Sequence, residues 1–176
     1  MTYNKYTGGN AMKLYIKQKV FSIGESFEVR NEFNEIVYYV RGSFFRLPKK
    51  FEIYDTNQNE IATVESQLFR LMSHYSIKTP TDSLTLKEHF TFFKRKFELT
   101  GTSWLLQGDF MSHNYQVIQG QRPIMLLSKH WFTWGDSYEL DIEDDKDALL
   151  CLCIVIAVDA VLAKSNAGAA SSSSSS

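Results

Sequence analysis

Between residues 14 and 142 apolar and polar positions alternate with a period of two, and β-branched and aromatic residues fill most of the apolar ones. That alternation is the signature of half-buried strands. Twelve segments carry it: 14–21, 27–30, 36–41, 51–54, 61–67, 74–78, 85–90, 93–100, 104–107, 115–119, 124–127 and 138–142. Clusters rich in Asn, Asp, Gly, Pro, Ser and Thr at 31–34, 55–59, 79–83, 101–103 and 120–123 separate them and supply the backbone conformations that tight turns need.

The pattern then changes. Residues 148–163, ALLCLCIVIAVDAVLA, are apolar on every side, and the preceding EDDKD offers carboxylates suited to a helix N-terminus. A helix apolar all round must lie inside protein or inside a membrane. Its sixteen residues rise about 24 Å, short of the roughly 20 residues a bilayer requires. Asp159 also sits within it, so burial in protein is expected. Strands of six to eight residues have the same length, about 20–26 Å. A barrel of twelve strands is too wide for strand side chains alone to fill, since about eight strands give an interior of that width. The predicted fold is therefore mainly β: a closed twelve-stranded β-barrel enclosing a hydrophobic C-terminal central α-helix.

An internal repeat agrees with a quasi-symmetric sheet. FSIGESFEV at 21–29 aligns without gaps on FTWGDSYEL at 132–140, and FRLMSHYSI at 69–77 is a weaker third copy. Each reads as a strand end, a turn and a new strand, which makes recurrent hairpin chemistry the expected cause.

Composition narrows the class. With 176 residues, 44% hydrophobic and 22% charged, the chain suits a soluble domain that needs neither disulfides nor a metal to fold. The domain is expected over residues 13–164. Residues 1–12 read as a leader or disordered segment, and the Ser/Ala-rich run 165–176 reads as a disordered tail, because it has no apolar face to bury. The opening lacks a signal-peptide pattern, so a cytoplasmic setting, at most peripheral to a membrane and with no transmembrane span, is expected. Net charge of −1 argues against a dedicated nucleic-acid binder. It conceals an asymmetry: residues 1–100 carry 15 Lys and Arg against 11 Asp and Glu, and residues 101–176 carry 4 against 9.

Candidate chemistry is sparse. Gly135-Asp136-Ser137 resembles the nucleophile block of GDS-type lipases, but those enzymes place it near the N-terminus and take a His from downstream, whereas the last His here is His130; the same turn also recurs at Gly24-Glu25-Ser26. His74, His89, His113 and His130 show no paired ligand spacing, so no metal site is expected. Cys151 and Cys153 point about 200° apart on a helix and read as buried reduced thiols. No phosphate-cradling or dinucleotide loop is present, so neither a catalytic residue nor a cofactor is expected. Asp159, a carboxylate on an apolar helix, must be paired, protonated or near a barrel mouth. Arg41, Arg46, Lys49, Lys50, Lys94, Arg95 and Lys96 fall near strand ends, where they could gather against an anionic head group or remain solvated edge charges.

Three stretches carry a family resemblance: KQKVFSIGESFEVRNEFNEIVYYVRGSFFRLPKKFEIYDTNQNEIATVESQLFRL, WLLQGDFMSHNYQVI, and SKHWFTWGDSYELDIEDDKDALLCLCIVIAVDAV. Together they look like the LURP-one-related (YxjI-like) family over nearly all of 13–163. The resemblance implies a tubby C-terminal-like barrel around a hydrophobic helix, shared with phospholipid scramblases. Tubby domains bind phosphoinositides through basic residues and scramblases act at membranes, but no tubby head-group motif maps residue by residue onto this chain. Fold does not carry function over such distances. The resemblance leaves two expectations: a non-enzymatic barrel binding anionic lipid head groups or phosphorylated ligands at a membrane surface, or a protein-interaction or stress-response scaffold without lipid affinity.

Overall fold

The computed structural model describes residues 9–17, 26–43, 47–69, 71–91, 94–132 and 135–172. Among the described residues there are twelve strands, one for each predicted segment: β1 (Met12–Lys17), β2 (Ser26–Asn31), β3 (Ile36–Ser43), β4 (Lys50–Tyr54), β5 (Glu60–Ser66), β6 (His74–Lys78), β7 (Ser83–Thr91), β8 (Lys94–Thr100), β9 (Trp104–Asp109), β10 (Asn114–Gln119), β11 (Arg122–Phe132) and β12 (Gly135–Ile142); positions 18–21 and 93 of the predicted segments lie outside the described residues. A short 3-10 turn, Asp145–Asp147, leads into the helix α1, Ala148–Ser172. The sheet is antiparallel throughout, in the order β8-β7-β6-β5-β4-β3-β2-β1-β12-β11-β10-β9. β1 pairs with β12, so the first and last strands join in mid-sheet, while β8 and β9 touch without forming a ladder. The barrel is thus nearly closed, with a seam between β8 and β9.

Strand alternation builds the core as the period-two pattern requires. Val40 of β3, Phe51 and Ile53 of β4, Ala62 and Val64 of β5, Tyr75 and Ile77 of β6, and Leu84 and Leu86 of β7 are buried, and the residues between them are more exposed. Every residue of α1 from 150 to 162 is buried. The all-round apolar helix therefore fills the barrel, and its side chains replace those that twelve strands cannot bring to the axis. Burial of each Leu, Ile or Val contributes about 1.5–3 kcal/mol, which makes this helix a principal source of stability.

Two boundaries differ from the sequence reading. Met12 begins β1 opposite Ile142, and the Asn10 carbonyl accepts a hydrogen bond from the Asp145 amide at 2.9 Å, so residues 10 and 12 are paired with the barrel. At the other terminus α1 continues to Ser172, eight residues into the stretch assigned from composition to a tail. Once a helix is nucleated, each further residue adds a hydrogen bond at small cost, and Ala is the best helix former, so an Ala-rich run can extend what the core has started.

The repeat copies coincide with hairpin strands. β2 and β12 carry the two close copies and flank β1 on either side; β6 carries the third. Val29, Ile77 and Leu140 occupy the same repeat position, and all three are fully buried. Among the described residues the copies share this buried strand position; residues 21–25 and 133–134, which hold the turns of the two close copies, lie outside them.

In an antiparallel meander every second connection lies at the same end. Segments 32–35, 55–59, 79–82, 101–103, 120–121 and 143–147 form one end; segments 47–49, 67–69, 71–73 and 110–113 belong to the other. The first holds eight carboxylate residues and one lysine, and is denoted the acidic end. The described residues of the connections at the second include no carboxylate. Helix α1 enters at the acidic end and runs towards the second.

Candidate functional site

Large apolar side chains are concentrated at the second end. Among the described residues eight large hydrophobics are exposed, and five of them, Leu47, Leu68, Phe69, Leu71 and Met111, lie on its connections. Phe69 and Leu71 are fully exposed, at 103% and 102% of the reference area. Phe69 has φ 60, a left-handed conformation uncommon for a bulky residue, and its ring still points into solvent. This is the apolar end. Leu47 precedes Pro48 across a cis peptide bond on the β3–β4 connection. Three separate connections thus carry apolar tips, and they present points rather than a continuous groove.

The predicted basic residues divide. Arg41 on β3, Lys49 before β4 and Lys50 on β4 form one group near Leu47. Lys96 is exposed on β8, four strands from β4, or about 19 Å along the sheet. Arg95 alternates with it and turns inward, where its guanidinium donates to Glu88 at 3.1 Å; both side chains are largely buried. Lys94 begins β8, its side chain lying outside the described residues, and Arg46 lies outside them altogether. The seven residues do not converge on one concavity.

Arg41 and Lys50 share a surface groove of about 310 Å³ with Gly42, Ser43, Leu47, Pro48, Glu52 and Glu65. Strand register places Arg41 opposite Glu52, Ser43 opposite Lys50, and Lys50 opposite Glu65. The Lys50 ammonium donates to Glu52 at 2.7 Å, and the Tyr54 hydroxyl donates to the other Glu52 oxygen at 3.0 Å. Lys50 holds the Glu52 carboxyl below its ordinary range and is itself raised. The Arg41 guanidinium lies 4.4 Å over the Tyr54 ring and donates to the Gln58 side chain at 2.7 Å. The lining is therefore mixed in sign.

Inside the apolar end, Asp159 of α1 meets His113 of the β9–β10 connection at 2.8 Å. The His113 ring stacks on Tyr138 with centroids 4.6 Å apart. Burial pushes the Asp159 carboxyl up, with His113 acting in the opposite direction. Tyr115 is fully buried nearby and raised well above the usual phenol range by burial, then by Asp159 and Tyr138. Phe110 contacts Phe97 of β8 at 4.8 Å and Tyr115 at 5.0 Å, closing the seam with aromatic rings. Asp159 is thus a buried carboxyl group hydrogen-bonded to His113 at the barrel mouth.

The remaining chemistry is structural. Ser137 is a buried strand residue in register with His130 and Lys17, and its hydroxyl makes no hydrogen bond to a described residue. Cys151 and Cys153 are buried free thiols, both raised by burial, which disfavours the nucleophilic thiolate. His89 pairs with Glu98 at 2.7 Å. No group of three metal-ligating side chains occurs among the described residues, and none of their helices is long and apolar enough to cross a membrane.

Sequence reading misses the exposed apolar tips, because turn clusters are identified by polar residues and these connections have few. A signal is nevertheless present: taking alternate connections of an up-and-down sheet separately sorts them by end.

Comparison with known proteins supplies the family. The LURP-one-related family model matches residues 12–159. The uncharacterized protein YxjI of Bacillus subtilis (strain 168) is 32% identical over 152 residues, spanning 86% of this chain and 94% of that protein. A protein from Arabidopsis thaliana, solved by X-ray crystallography, superposes with a TM-score of 0.59 at 14% identity, covering 88% of this chain and 93% of that one. At that identity the superposition speaks to fold alone, and the fold agrees.

Proposed function

The chain belongs to the LURP-one-related family, and we propose that it is a non-enzymatic barrel protein that associates peripherally with an anionic membrane surface through its apolar end. The observation that carries this reading is the clustering of Leu47, Leu68, Phe69, Leu71 and Met111 on connections whose described residues lack carboxylates. A soft, fluid surface accepts separate apolar tips at any spacing, whereas a protein partner would have to match their relief. Magnitudes favour the apolar term. Full transfer of a Leu or Phe side chain from water is worth about 1.5–3 kcal/mol, against about 1 kcal/mol for each Lys or Arg near an anionic surface. Lys49, Lys50 and Lys96 then orient the end rather than hold it, while Arg41 reaches towards Gln58 of the acidic end. Arg95, committed to Glu88, takes no part. The packed interior supports a non-catalytic role, since α1 occupies the space a substrate would need.

Flotation with vesicles of phosphatidylcholine, with and without added phosphatidylserine, tests the reading. Recovery that rises with phosphatidylserine and falls with salt is expected. Equal recovery from both vesicle types, unaffected by low salt, would overturn it and leave the protein-interaction scaffold as the better description.

A further inference from the structure

The groove on the outer face of β3, β4 and β5 is poorly suited to a purely anionic ligand. Its charged lining consists of Arg41, Lys50, Glu52 and Glu65, two of each sign. A ligand carrying more than one phosphate would set one of them against a carboxylate, which is unfavourable at short range. The four groups are not equivalent. Glu52 is committed on both oxygens, to Lys50 and to Tyr54. Arg41 is held from below by Tyr54 and Gln58 and retains further N–H donors. Lys50 has three donors, and Glu52 takes one. Glu65, directly across the ladder from Lys50, makes no ion pair with a described residue. A cationic corner with spare donors thus stands beside an acceptor corner with spare capacity.

We propose that this groove binds the head group of an ethanolamine phospholipid, with the phosphate on Arg41 and Lys50 and the ammonium on Glu65. The two-carbon bridge of ethanolamine spans roughly the distance between adjacent strands, about 5 Å, and Lys50 of β4 stands directly opposite Glu65 of β5. An ethanolamine ammonium donates hydrogen bonds to a carboxylate, while the quaternary ammonium of choline has no hydrogen to donate; the site therefore discriminates between the two zwitterions. Leu47 and Pro48, on the side of the groove towards the apolar tips, meet the glycerol and first acyl carbons. The volume is at the lower end of small-ligand sites, about 300–1,000 Å³, and suits a head group rather than a whole lipid. Only the source of the ligand rests on the membrane reading above; the charge arrangement does not.

The test has two arms. In the first, vesicles of fixed phosphatidylserine content carry either phosphatidylcholine or phosphatidylethanolamine as the remainder, and the full chain is compared with Glu65→Gln. Ethanolamine lipid is expected to raise binding roughly threefold, as a partly exposed ion pair would, and Glu65→Gln to lose that gain while keeping its dependence on phosphatidylserine. In the second, free glycerophosphoethanolamine is titrated while backbone resonances of β3–β5 are followed, with glycerophosphocholine as control. Shifts with the ethanolamine ester alone, in a protein that binds no vesicle, would support the groove and overturn the membrane reading. The groove proposal falls if ethanolamine lipid gives no gain over choline lipid and the free ester moves no groove resonance, or if Glu65→Gln keeps the full ethanolamine gain.

Discussion

The two ends of the barrel are built from alternate connections of the same meander, yet they expose different side chains. At the acidic end polar groups turn back on their own backbone. Asn31 Oδ1 accepts from the amides of Phe33 and Glu35, and Asp55 Oδ1 accepts from those of Asn57 and Asn59. Thr79 Oγ1 accepts from the amides of Thr81 and Asp82. Asp144 caps the 3-10 turn before α1, and the carboxylates around it suit the positive end of the helix dipole. At the apolar end, by contrast, Leu47, Phe69 and Leu71 point away from the protein, and Phe69 does so from an unfavourable backbone region. The apolar end uses the capping device too, at the β9–β10 connection, where Asp109 Oδ1 accepts from the amides of Met111 and Ser112, but it also leaves large apolar side chains for something else to cover. An up-and-down sheet permits this division, because alternate connections can diverge in composition without disturbing the strands between them.

The largest expected effect separates adhesion from stability. Phe69→Asp combined with Leu71→Asp removes two fully exposed apolar side chains and about 3–6 kcal/mol of membrane transfer energy, so vesicle flotation should be lost. Because neither side chain packs against the core, urea unfolding should shift by no more than about 0.5 kcal/mol. Unchanged flotation would remove the apolar end from the account of function. The next effect lies inside the same end. His113→Ala leaves Asp159 buried without its partner and should destabilise the fold by about 2 kcal/mol. Adding Asp159→Leu should recover most of that loss, since an apolar residue replaces a buried polar group. If His113→Ala is neutral in urea unfolding, the pair does not contribute to holding the fold.

The barrel is legible in the sequence to an unusual degree because two independent constraints agree. Period-two alternation locates twelve strands, and the apolar helix beginning at Ala148 demands an enclosure of matching length. Met12 escapes a sequence reading because β1 is only six residues long and starts where the polar opening ends, so its pairing with Ile142 has no local signature. The basic residues look like a single group because sequence places them near strand ends but not on faces. Arg95 and Lys96 are neighbours in the chain and lie on opposite sides of β8, one inside with Glu88 and one in solvent. The groove is invisible in the sequence for a related reason: Glu65 is far along the chain from Arg41 and joins it only through the registers of β3, β4 and β5.

The smallest effect distinguishes the ends by the sign of their response to pH. Hydrogen bonds from Asn59, its side chain foremost, hold the Asp55 carboxyl below its ordinary range. A depressed carboxylate stabilises the fold above its unfolded value, about 3.9, and that contribution disappears as pH falls through the lower folded value. Asp159 is raised by burial. Its protonated form is the one the fold prefers, so its contribution is present below about 3.9 and is lost as pH rises through the higher folded value. Urea unfolding of Asp55→Asn and Asp159→Asn, each compared with the parent chain from neutral pH to about pH 3, reads both signs. Asp55→Asn should be less stable than the parent near neutrality and converge on it in acid. Asp159→Asn should converge on the parent in acid and gain on it as pH rises. Slopes of the same sign would mean that the barrel mouth holds Asp159 as an ordinary ion pair, and that the contrast between the two ends stops at the surface.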